Sequence, residues 1–204
     1  MFFKKLLMAA GLVAATVTAV GAQAADFSQH KTAVVFYSLI HNREGGDDYY
    51  GDRTVGNTEH LADLVVTMTG ADKFSLEQVE PYGNDYDAVV DKARSEQEQN
   101  VRPKLKSIPD LSSYDVVFVA YPCWWGSYPM AFATLFDTGA LNGKVVIPLT
   151  THEGSRWGHS IQDLQAALPQ STILEGYQHR GRSVFDEEVR TEMQEFLQDL
   201  ELPQ

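Results

Sequence analysis

Apolar residues along this chain fall into two alternating patterns. Thr32 to Tyr37, Val116 to Tyr121 and Val145 to Leu149 are continuous apolar runs rich in valine and aromatic residues. Runs of that length with no polar face predict strands buried on both sides. Asp72 to Val79 alternates, with Phe74 and Leu76 on one face, and predicts a strand nearer a sheet edge. Thr172 to Tyr177 predicts a short fifth strand. Between these runs the period changes. Leu61, Leu64, Val65 and Met68 recur at helical spacing, with Gly70 placed to end the helix. Tyr86, Val89, Val90 and Ala93 repeat the pattern, which Arg102-Pro103 stops. Pro129 opens a helix through Phe132, Leu135 and Phe136, and Gly139 follows it. Ile161, Leu164 and Leu168 mark a fourth helix ahead of Pro169. Val189, Met193, Phe196, Leu197 and Leu200 mark a fifth, with Ser183 and Asp186 spaced as a capping box. Five strands alternating with five helices predict parallel pairing through right-handed crossovers. The expected fold is a three-layer, doubly wound α/β sandwich.

The first residues stand outside that pattern. A short basic start containing Lys4 and Lys5 precedes a fifteen-residue apolar run, Leu6 to Val20, too short for a typical spanning helix. Ala22-Gln23-Ala24 has the small-residue spacing of a cleavage site. Together they predict a signal peptide over 1–24, cut after Ala24, and one domain over 25–204. The expected location is the periplasm, without stable membrane insertion. The formal charge is −12, and removal of Lys4 and Lys5 makes it two units more negative. Such a surface repels nucleic acid and anionic lipid and favours a basic partner. Cys123 is the sole cysteine, so no internal disulfide forms, and its setting between Pro122 and two tryptophans suits a packed, inert thiol.

Candidate chemistry sits in the loops expected after the first, third and fourth strands. In an open parallel sheet this is the ligand-binding edge. Gly56-Asn57-Thr58 opens a helix whose first N–H groups lack partners and can receive a phosphate, with the Ser38 hydroxyl nearby. Pro122-Cys123-Trp124-Trp125-Gly126 puts two indoles at a strand mouth. One is expected to pack inward and the other to stack on a planar ring. Thr151-His152-Glu153-Gly154-Ser155-Arg156, with Gly158, supplies donors for a polar ring edge and one cation. The three loops together suit one flat, phosphorylated aromatic ligand.

Other chemistries fit poorly. A Walker lysine and a dinucleotide-type glycine set are both missing. His152 and His159 lack the companions of a zinc site. Ser155 lacks the nucleophile elbow of a hydrolase. Asp47, Asp48 and Asp52 do not have EF-hand spacing.

These motifs resemble the flavodoxin-like superfamily. Within it they are similar to a family whose patterns read Ser…Gly-Asn-Thr, Tyr-Asp followed by Tyr-Pro-x-Trp-Trp-Gly-x-x-Pro-Met, and Thr-His-x-Gly-Ser-x-x-Gly-x-Ser. This chain has Tyr114-Asp115, Tyr121 to Met130, and Thr151 to Ser160 in those places. The resemblance implies a five-stranded sheet of order 2-1-3-4-5 and noncovalent FMN as cofactor. It further implies electron transfer to a redox partner protein or a small quinone-like acceptor. Arg156 is expected near the flavin edge that becomes anionic on reduction. The alternatives are an FMN-dependent NAD(P)H or quinone oxidoreductase, and a binding module without redox activity. One departure stands out: Leu39 to Val55 separates Ser38 from Gly56, where a compact flavodoxin loop is uninterrupted. The insert is expected either to be a lid, with Tyr49 or Tyr50 over the ligand, or to be a surface loop.

Overall fold

The computed structural model describes residues 26–44 and 53–203. The predicted signal peptide lies outside the described residues, as do Asp47, Asp48, Tyr49, Tyr50 and Asp52. Among the described residues the parallel strands are β1 (Thr32–Phe36), β2 (Asp72–Ser75), β3 (Val116–Pro122), β4 (Val145–His152), β5 (Thr172–Ile173) and β6 (Tyr177–Arg180). Their order is β2-β1-β3-β4-β5, and β6 also pairs with β4. The helices are α1 (Asn57–Thr69), α2 (Tyr86–Glu98), α3 (Met130–Asp137), α4 (Ser160–Ala167) and α5 (Glu187–Asp199). The doubly wound, flavodoxin-like architecture expected from the sequence is the one observed.

The continuous apolar runs become central strands because both of their faces are covered. Val116, Phe118 and Ala120 of β3 face a cluster built with Leu61, Val65 and Met193 of α1 and α5. Val117, Val119 and Tyr121 face the opposite cluster, with Val89, Phe132 and Leu164 of α2, α3 and α4. Burying each valine, leucine or phenylalanine among them contributes about 1.5–3 kcal/mol. Gly70 ends α1 at φ +73, as its sequence position predicts.

Four boundaries differ from the sequence expectation. β2 ends at Ser75 rather than Val79, because other groups capture the backbone beyond it. The Gln78 N–H donates to Asn42 Oδ1 at 2.7 Å, and Val79 N–H donates to Lys104 O at 2.8 Å. α2 ends at Glu98, short of Arg102-Pro103, where Asn100 turns left-handed at φ 52. The fifth strand is split. Val146 O accepts from Leu174 N at 3.0 Å, so Pro148, two residues on, turns its missing N–H to the same side and breaks the ladder. The register consequently slips by one residue between β5 and β6. Finally, Asp186 rather than Ser183 is the N-cap of α5, and Ser183 belongs to a separate 3₁₀ turn, Gly181–Ser183.

Candidate functional site

At the carboxyl edge of the sheet the insert leaves after Ser38 and returns to place Gly56 against it. A Cβ on Gly56 would lie 2.1 Å from Ser38 Oγ, so only glycine fits while that hydroxyl keeps its position. Ser38, Gly56, Asn57, Thr58 and Thr151 border a small cavity of about 50 Å³ at the start of α1. His60 N is the first amide of α1 to bond back within the helix, to Gly56 O at 3.0 Å, so the amides of Asn57, Thr58 and Glu59 precede the ladder. The positive end of the helix dipole adds to those donors. Thr58 Oγ1 and Thr151 Oγ1 are 2.7 Å apart and tie α1 to the end of β4. Glu59, also in this first turn, is held by His41 Nε2 at 2.8 Å and Lys73 Nζ at 3.2 Å. Its negative charge is thereby offset.

Beside this pocket lies a larger cavity of about 550 Å³, and Asn57, Trp124 and Thr151 border both. The two tryptophans divide as expected in packing. Trp124 is partly buried, meeting Tyr37 edge-on at 5.5 Å and Tyr82 at 5.6 Å. Trp125 is 47% exposed. It shares a tight two-residue turn with Gly126, closed by Trp124 N to Ser127 O at 2.8 Å and Ser127 N to Trp124 O at 2.9 Å. Both turn residues have positive φ, 49° and 83°. A bulky residue seldom adopts that conformation, and it is strained there. Trp125 Nε1 donates to Val90 O at 3.0 Å, and the Arg94 guanidinium lies 5.0 Å from the indole. Pro122 and Cys123 complete this wall. Burial pushes the Cys123 thiol up, partly opposed by a hydrogen bond with Ser155, so at neutral pH it stays protonated.

Thr151 and His152 at the end of β4, and Ser155 in the loop after it, border the larger cavity. His152 is nearly buried and both ring nitrogens are engaged. Gly154 N–H donates to Nδ1 at 2.9 Å, so Nε2 carries the proton and donates to Gln178 Oε1. Burial holds this imidazole below its usual range. Gly126 and Gly158 stand outside the cavity wall. A Cβ on Gly158 would sit 2.2 Å from Gly126 O, and His159 N donates to that oxygen at 2.7 Å. These glycines let the second and third loops pack backbone to backbone. Gly154 and Arg156 are exposed and also outside the wall.

The sequence reading missed one side of the site. Tyr86, Val89 and Val90 of α2 line it, joined by Gly83, Asn84 and Arg43. A signal was present: Val90 beside Val89 is one apolar residue more than a single core-facing stripe needs. Arg43 enters through the insert, anchored by Asn42. Asn42 is fully buried, and its Nδ2 donates to Ser38 O and Leu76 O, both at 2.9 Å. Gly181 and Glu153 also border the cavity. Nothing in the sequence marked Gly181, whose Cβ would meet Asn57 Nδ2 at 2.5 Å.

Comparison with known proteins agrees with this fold. The flavodoxin family model matches residues 49–198. No curated protein matches. A Bacteroides eggerthii structure described as a flavoprotein is 25% identical, with a TM-score of 0.61 over 76% of this chain and 93% of its own. Another, from Bacteroides uniformis, is 23% identical, with a TM-score of 0.65 over 82% and 97%. A Lactobacillus acidophilus flavoprotein crystallised with FMN shares the fold at 18% identity, with a TM-score of 0.56 over 78% and 97%. Since the family match spans most of the sequence and the sheet has the corresponding order, this chain belongs to the flavodoxin family.

Proposed function

We propose that this chain is an FMN-binding redox protein that works in the periplasm after cleavage at Ala24. The observation that carries the reading is the adjoining pair of cavities. One is small and walled by the start of α1, and the other is larger and flanked by indoles. The residues present fit FMN. Gly56 lacks the Cβ that would displace Ser38, and the first amides of α1 with the Thr58 hydroxyl would hold a phosphate. Trp124 and Trp125 would flank the ring, with Pro122 and Cys123 behind it, while Thr151, His152 and Ser155 would meet its polar edge. When bound, FMN supplies reversible one- and two-electron transfer that no side chain here provides.

The chain's own groups do the rest. His152 keeps its proton on Nε2 and leaves Nδ1 to order the third loop through Gly154. The protonated Cys123 thiol makes a poor nucleophile against a bound ring. The acidic surface suits a basic redox partner. A second reading, an FMN-dependent oxidoreductase acting on a small planar quinone-like acceptor, is favoured by the apolar α2 wall of Val89 and Val90 in the larger cavity.

Protein purified from a periplasmic extract decides the matter. A flavin absorbance band, FMN released on denaturation and an N-terminus at Ala25 are the expected results. A colourless protein that refuses added FMN would favour a binding module without redox activity.

A further inference from the structure

The returning end of the insert carries a cation to which the motifs assign no role. Arg53 is exposed, three residues before Gly56. Its guanidinium lies 4.7 Å from the ring centroid of Phe185. His60 also stacks on Phe185, at 4.4 Å with an interplanar angle of 29°. Phe185 is 38% exposed, and this contact gives an otherwise unexplained surface aromatic a task. Arg53 Nη1 also reaches Asn57 Oδ1 at 3.5 Å, a long contact. Asn57 is the first residue of α1 and borders both cavities. With Oδ1 turned to Arg53, the Nδ2 end lies near Gly181, which also borders the larger cavity.

The charges around this point are uneven. Glu59, the acidic residue of the same helical turn, is held by His41 and Lys73. Among the described residues no carboxylate pairs with Arg53. Burial keeps His60 below its usual range and therefore neutral at physiological pH, so it adds no like charge beside Phe185. In a strongly acidic chain, Arg53 is thus a positive charge in contact with Asn57, which borders both cavities, although Arg53 itself lines neither.

We propose that Arg53, held by Phe185 and Asn57, is the residue that makes this site select a terminal phosphomonoester over the unphosphorylated ligand. The inference rests on the FMN reading of the site and assigns the discrimination within it. The guanidinium acts in two ways. It adds a cation to the neutral amide donors of α1, and it orients the Asn57 amide that borders both cavities. A dianionic phosphate gains from both effects, whereas the hydroxyl terminus of riboflavin gains little.

The test is titration of flavin-stripped full-length protein with FMN and with riboflavin, read by quenching of flavin fluorescence. Wild type should prefer FMN. Arg53→Gln should weaken FMN roughly fivefold at low salt and leave riboflavin unchanged. The difference should shrink as salt screens the charge. Arg53→Lys should keep most of the FMN affinity, and Phe185→Ala should lose part of it. Equal FMN affinity in wild type and Arg53→Gln would overturn the role of Arg53 while leaving the FMN reading intact. Equal losses for both ligands would also overturn it, because they would indicate a purely structural residue. A wild-type protein that refuses both flavins would overturn the FMN reading and this inference together.

Discussion

Ser38 and Gly56 are distant in sequence yet touch, with room beside the Ser38 hydroxyl for hydrogen but not for carbon. Gly56→Ala should therefore rotate the hydroxyl away or shift the start of α1. The expected cost is about 1–3 kcal/mol of stability, with FMN affinity reduced more than riboflavin affinity. Chemical denaturation in the Ser38→Ala background checks the cause. If the contact is responsible, the alanine at position 56 costs clearly less there, and the two changes are non-additive.

Thr58 joins two elements as well as bordering the small cavity. Thr58→Val keeps the shape but removes the hydroxyl facing Thr151. Stability should fall by about 1 kcal/mol, and FMN should weaken more than riboflavin. Thr58→Ser should restore both properties. Parallel thermal melts and flavin titrations would separate the two effects; equal losses of FMN and riboflavin would assign Thr58 to the fold alone.

His152 sets a pH dependence whose sign follows from its surroundings. Burial lowers its folded pKa below the ordinary value of about 6.5. Between those two values the unfolded chain binds more protons than the folded one. The contribution to stability is thus complete above about pH 6.5 and declines as pH falls through that window. Protonation would also put a second N–H against the Gly154 amide. His60 is shifted in the same direction and adds to the slope. Melting temperature should fall from pH 7.5 to pH 5.5, and His152→Gln should flatten the curve in part. An unchanged slope in that variant would remove His152 from the account.

The two tryptophans should give opposite signatures. Trp124 packs against Tyr37 and Tyr82, so Trp124→Ala should cost about 3–5 kcal/mol. Trp125 is half exposed and strained at φ 49. Trp125→Asn, which tolerates that conformation, should leave the melting temperature within a few degrees of wild type. It should still weaken FMN and riboflavin alike, because a ring contact is lost and a phosphate contact is not. Full affinity for both flavins in Trp125→Asn would place the indole outside the binding surface.

The sequence by itself determined the layers. Buried strands such as Val116 to Tyr121 were legible because a segment covered on both faces must be apolar throughout. The helices were legible because one face of each must be. Asn57, Thr58, Trp124, Thr151 and Ser155 could be placed at the site because the carboxyl edge of a parallel sheet gathers successive β–α loops. Tertiary structure decided what depends on contacts between distant segments. Pairing with Asn42 and Lys104 shortened β2, and Pro148 split the fifth strand by withholding one N–H. Gly126 and Gly158, from the second and third loops, pack against each other outside the cavity wall. Arg156 stands outside the cavity wall while Arg43 borders it, since which arginine reaches a cavity depends on how its loop is anchored. The buried amide of Asn42 supplies that anchor, and no local pattern in the sequence encodes its partners.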